Sequence, residues 1–69
     1  MKISARNVLK GTIVEVTKGA TTAHVKIDIG GGTIVTSSIT NDSVDELGLE
    51  VGKVAYAVVK ASNVMVAVD

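Results

Sequence analysis

The 69-residue sequence has no cysteine, no proline, one aromatic residue (Tyr56) and one histidine, and its seven basic side chains are balanced by seven acidic ones. Without cysteine there are no disulfides and no thiolate metal sites, and a single histidine does not build an imidazole site for a bare metal cation. Formal neutrality argues against a nucleic-acid partner, whose phosphates require a basic stripe and counterion release. One aromatic leaves no platform for stacking unpaired bases. No apolar run approaches the roughly 18–20 residues of a membrane-spanning helix. Met1-Lys2-Ile3-Ser4-Ala5-Arg6-Asn7 has no long apolar stretch behind its charges, so no secretory signal is expected. The expectation is a soluble cytoplasmic protein, one domain over residues 1–69, away from membranes. A chain this short buries only about 60% of its unfolded surface, and among the common staples oligomerisation is the one left.

What is present is β-branched. Valine occurs 13 times, isoleucine six and threonine seven, which makes this a strand-forming chain. The clearest strand is Ala23 to Ile29, with Ala23, Val25, Ile27 and Ile29 on one face and His24, Lys26 and Asp28 on the other. Leu9 to Thr17 precedes it, with Val14 and Val16 expected inward and Glu15 outward, and Lys18-Gly19-Ala20 as the reversal. Gly30-Gly31-Gly32 turns the chain into a third strand, Thr33 to Ile39. Thr40 to Gly48 then reads as one or two helical turns: Thr40, Asn41 or Asp42 offers the cap, Val44 and Leu47 sit at i, i+3, and Gly48 stops it. A fourth strand is expected over Val54–Lys60 and a fifth over Val64–Val68.

The last two strands are apolar on both faces, and a strand of that kind is buried on both. In a small barrel one face should meet water, so the extra apolar face predicts a subunit interface. Five strands with a short helix between the third and fourth is the order of an OB-type barrel. Periodicity alone also fits another small β-barrel.

Catalysis has little to build on. His24 lies on a polar strand face, and Asp42, Asp45 and Glu46 crowd one short helix, where early acidic residues favour the dipole. Gly30-Gly31-Gly32 lacks the spacing of a phosphate loop and precedes a strand. Three polar clusters are more informative: Ser4-Ala5-Arg6-Asn7, Ile39-Thr40-Asn41-Asp42-Ser43, and Lys60-Ala61-Ser62. Taken separately they read as a cap, a first-turn serine and surface charges. Taken together they offer hydroxyls, one Arg, one Lys and free N–H groups, a helix N-terminus among them. Arg6 and Lys60 lie next to apolar strands, where a buried cation needs a partner. A site of donors alone fits a fully deprotonated small anion, held at subunit interfaces.

At these clusters the sequence resembles the molbindins, the small molybdate-binding Mop proteins. The resemblance rests on Ser4-Ala5-Arg6-Asn7-x-Leu9-Lys10-Gly11, on Ile39-Thr40-x-x-Ser43-Val44-x-x-Leu47-Gly48-Leu49, and on Gly52 and Lys60-Ala61-Ser62-x-Val64-Met65. It implies an OB-type barrel, a hexamer built as a trimer of dimers, and oxyanion sites between subunits. One subunit would supply Ser4, Arg6, Lys60 and the backbone around Ala5, Ala61 and Ser62; a neighbour would supply Thr40, Ser43 and the Val44 N–H. A second class of site, on a threefold axis, is implied near Lys18-Gly19-Ala20-Thr21-Thr22. The implied function is intracellular molybdate binding, storage and homeostasis, with tungstate as a near-isosteric competitor and no organic cofactor. The alternatives are an oligomeric interaction or regulatory module of molybdate transport, a nucleic-acid-binding OB domain, which neutrality disfavours, and an enzyme, for which no nucleophile, base and orienting group can be named.

Overall fold

Alternation decides the middle of the sheet. Strand β2 (Thr22–Asp28) buries Ala23, Val25 and Ile27 and exposes His24, because successive side chains point to opposite faces. The computed structural model describes residues 1–69. In it β2 lies between β1 (Asn7–Lys18) and β3 (Ile34–Thr40), and β4 (Val54–Val59) joins the far side of β1. The antiparallel sheet has the order β3-β2-β1-β4. One short helix, α1 (Asn41–Leu47), connects β3 to β4, so the fold is all-β with the helix where the sequence places it.

β1 is long because it serves two partners. Asn7–Thr12 pairs with β4 and Thr12–Lys18 with β2. At the changeover, a Cβ on Gly11 would lie 2.3 Å from the Asp28 carbonyl oxygen, so only glycine lets the strands approach this closely. The sheet curls there around a core of Ile13, Ala23, Val25, Ile27, Val44 and Ala57.

Alternation fails once. The sequence reading puts Val14 and Val16 inward together, but the register shifts between Ile13 and Glu15 and leaves Val14 as the extra residue of a β-bulge. Two residues then oppose one, and the phase of the strand flips. Ile13 is fully buried and Val16 packs against the core, whereas Val14 is turned outward.

The helix forms as its ends dictate. Thr40 Oγ1 accepts the Ser43 N–H at 3.1 Å, and Gly48, left-handed at φ 62°, closes the other end. Val44 is the helix's one buried residue and docks it on the core.

The expected fifth strand does not pair within the chain, so the sheet has four strands. After β4 a 3₁₀ turn, Ala61–Asn63, leads the chain off the sheet, and Val64 is 50%, Met65 93%, Val66 89% and Val68 92% exposed. Strand propensity is local, but a strand forms only against an edge, and the turn carries this segment past the end of its own. β3 and β4 meanwhile keep free edges. Between them runs an apolar groove lined by Val25, Ile27, Ile39, Leu49, Tyr56 and Val58 among others. No helix is long and apolar enough to cross a membrane.

Candidate functional site

Two segments far apart in sequence meet where the β1–β4 ladder ends. Asn7 and Val59 form its last pair, so the chain before β1 runs beside the chain after β4. The recess at that junction is lined by Ile3, Ser4, Ala5, Arg6, Lys60, Ala61 and Ser62. Six of these are residues that the sequence singles out. Lys60 precedes the 3₁₀ turn, in which Asn63 N–H donates to the Lys60 carbonyl at 2.9 Å and Val64 N–H to Ala61 at 3.2 Å. The amides of Ala61 and Ser62, at the start of the turn, have no partner inside it.

The recess is basic and contains no carboxylate. The chain's ion pairs join Lys18 to Asp45, Lys26 to Glu15 and Lys53 to Glu50, and neither Arg6 nor Lys60 takes part in one. From their place beside apolar strands both are expected to be buried cations in need of a partner; in the single chain both are exposed. The signal for an anion is therefore a different one. Two like charges line one recess with nothing negative among its lining residues, an arrangement to which an anion would be attracted from both sides.

Thr40, Ser43 and Val44 lie elsewhere, at the start of α1. Thr40 Oγ1 and Ser43 Oγ are 2.8 Å apart and hydrogen-bonded to each other. The Val44 side chain belongs to the core at 3% exposure, leaving only its backbone to offer a ligand. The structure thus joins six of the nine singled-out residues in one recess and holds the other three apart.

The remaining candidates have structural roles. Lys18 is matched by Asp45, and Asn41 fastens the β1–β2 turn to the helix, its Nδ2 donating to Gly19 and its N–H to Thr21. The Lys18–Thr22 stretch so offers no unmatched positive charge. Gly30 accepts the Thr33 N–H in a hairpin turn. No group of three His, Asp or Glu residues is placed to hold a metal ion. Two residues escape the sequence reading as site residues: Ile3, which lines the recess, and Asn7, whose Nδ2 donates to the Val59 carbonyl at 3.1 Å. Asn7 is the fourth residue of Ser4-Ala5-Arg6-Asn7, and its place in that cluster was the available signal.

Chemically, the recess suits a small oxyanion that accepts hydrogen bonds and has no proton to give. It lacks any imidazole or carboxylate to act as a base.

A family model described as the TOBE domain matches residues 3–66. A "Probable molybdenum-pterin-binding protein" of Haemophilus influenzae is 55% identical over 69 residues, covering 100% of both chains. The structure of MopII from Clostridium pasteurianum superposes with a TM-score of 0.91 at 49% identity, covering 97% of this chain and 100% of that one. ModG, described as a cytoplasmic molybdate-binding protein and solved with molybdate bound, gives a TM-score of 0.90 at 48% identity, covering 94% of this chain and 46% of that one. The chain belongs to the TOBE domain family, among its molybdenum-pterin-binding (Mop) proteins.

Proposed function

We propose that this protein binds molybdate, with tungstate as a competitor, and serves molybdenum storage and homeostasis in the cytoplasm as a homo-oligomer. The observation that carries the reading is the carboxylate-free recess holding Arg6 and Lys60. Ser4, Arg6, Lys60 and the backbone at Ala5, Ala61 and Ser62 supply one half of each site. Thr40, Ser43 and the Val44 N–H of a neighbouring copy supply the other. The role is binding rather than catalysis, since these groups are cations, hydroxyls and backbone amides, with no imidazole or carboxylate among them to take a proton.

The relatives' names join molybdenum to a pterin, and the recess favours the free oxyanion. The recess offers no aromatic platform on which a pterin ring could stack, since the chain's only aromatic, Tyr56, lines the groove on the sheet.

The open edges support assembly. The groove runs between the free edges of β3 and β4, and Val64–Val68 is an exposed, unpaired segment of strand length. Seating that segment in the groove of a second copy closes the barrel and removes both exposed apolar surfaces. A hexamer, as a trimer of dimers, is the assembly proposed.

Native mass spectrometry with and without molybdate tests the whole reading. Six copies taking up a fixed number of molybdates are expected, and monomers with no uptake would refute it. Partner capture that ignores molybdate would favour the regulatory-module alternative. Calorimetry tests the site itself. A hydrogen bond to a charged group contributes about 1.5–3 kcal/mol, so Lys60→Ala and Arg6→Ala are each expected to weaken molybdate binding about 10- to 100-fold with the oligomer intact. Wild-type affinity in both variants would remove these residues from the site.

A further inference from the structure

We infer that Asn7 is a positioning residue that latches the two halves of the basic recess together before any anion arrives. The inference rests on the molybdate-site reading above and goes beyond it, because Asn7 lines no part of the recess.

Asn7 and Val59 are the terminal pair of the β1–β4 ladder. The Asn7 side chain adds a second tie at this same position: Nδ2 donates to the Val59 carbonyl at 3.1 Å, a partly buried bond between residues 52 apart in sequence. Arg6 is the residue before the latch and Lys60 the residue after it. Ladder ends fray more readily than ladder centres. This one carries an added load, since the cations just beyond it repel each other and no carboxylate sits between them. Without the latch, Ile3–Arg6 would swing away from Lys60–Ser62, and an arriving anion would have to gather both segments. With it, the ordering is complete in the folded protein and affinity is not spent on it. A protein whose competent state is only partly populated binds weaker by that fraction.

The test compares the assembled wild-type protein with Asn7→Ala, Asn7→Gln and Arg6→Ala, using molybdate as the probe. Asn7→Ala is expected to weaken binding about 3- to 10-fold, the effect of one neutral hydrogen bond, with the oligomer retained. Asn7→Gln, which keeps an amide donor, should recover most of that loss. Amide hydrogen exchange at Val59–Ser62 should be faster in ligand-free Asn7→Ala than in wild type and return to the wild-type rate at saturating molybdate. A purely structural role would lower the melting temperature of Asn7→Ala while leaving affinity and ligand-dependent exchange unchanged, and that result overturns the latch. Arg6→Ala separates the two readings. If it loses binding while Asn7→Ala does not, the latch alone is wrong; if Arg6→Ala binds like wild type, the site assignment fails with it.

Discussion

Removal of Val64–Asp69 is expected to dissolve the oligomer and leave a chain that is mostly unfolded at 37 °C. Val64, Met65, Val66 and Val68 keep between 50% and 93% of their surface in water in the single chain. Burying each such side chain fully contributes about 1.5–3 kcal/mol. Seating the four of them in a neighbour's groove therefore stabilises each copy by roughly 5–10 kcal/mol, before the groove's own apolar lining is counted. Domains of this size have total stabilities of about 0.05–0.15 kcal/mol per residue, which is no larger. The truncated chain also leaves β3 and β4 with bare edges, open to non-specific pairing. Size-exclusion chromatography with light scattering and a thermal melt measure both effects. Val66→Asp should act in the same direction, since it places an unpaired charge in an apolar groove. An intact oligomer after truncation would show that the C-terminal segment is not what closes the barrel.

The second large effect is expected at Gly11. A Cβ there would stand 2.3 Å from the Asp28 carbonyl oxygen and 2.7 Å from Ile27 Cγ2. The nearer obstacle is backbone and has no rotamer to change, so β1 must move away from β2. That movement loosens the Thr12–Asp28 and Ile13–Ile27 pairs beside Ile13, one of the two largest fully buried side chains. Overpacking a well-filled site costs about 1–3 kcal/mol, occasionally more. Gly11→Ala belongs at the top of that range and Gly11→Val beyond it. In a domain of this length each kcal/mol shifts the melting temperature by about 4–8 °C. A fall of about 10–20 °C is thus expected for Gly11→Ala, against almost none for Thr17→Ala on the outer face of the same strand. Equal melting of the two variants would refute the close-approach explanation.

These two sites differ in how visible they are from sequence. β2 and α1 are legible because their determinants are local: strict alternation from Ala23 to Asp28, Thr40 three residues before Ser43, and a glycine at position 48. The bulge at Val14 is hidden because Val14-Glu15-Val16 is itself a perfect alternation, and only pairing with Ile27 and Lys26 shows that Ile13 and Val16 share the inner face. Val64–Val68 is legible as a strand by composition, yet the edge it needs is not supplied by its own chain. The site divides the same way. The hydroxyls and cations of Ser4–Arg6 and Lys60–Ser62 are plain in the sequence, as donors without acceptors. That they share one recess depends on Asn7 and Val59 being partners, a long-range fact that no local pattern records.

The length of β1 has a bearing on stoichiometry. One end of the strand opens on the recess, and the other is tied through Lys18 to Asp45 of α1 and through the following turn to Asn41 at the helix start, beside Thr40 and Ser43. A straight strand of this length would reach about 36–40 Å, against a longest molecular extent of 35 Å, so β1 bends with the sheet and the two groups of residues stand at its opposite ends. Under the proposed division each copy offers one half to a neighbour and borrows the other half, so only a closed assembly, a two-fold pair or a ring, uses every half. An open chain of copies would always carry two unmatched halves, and the count of tightly held anions reports closure as directly as it reports affinity.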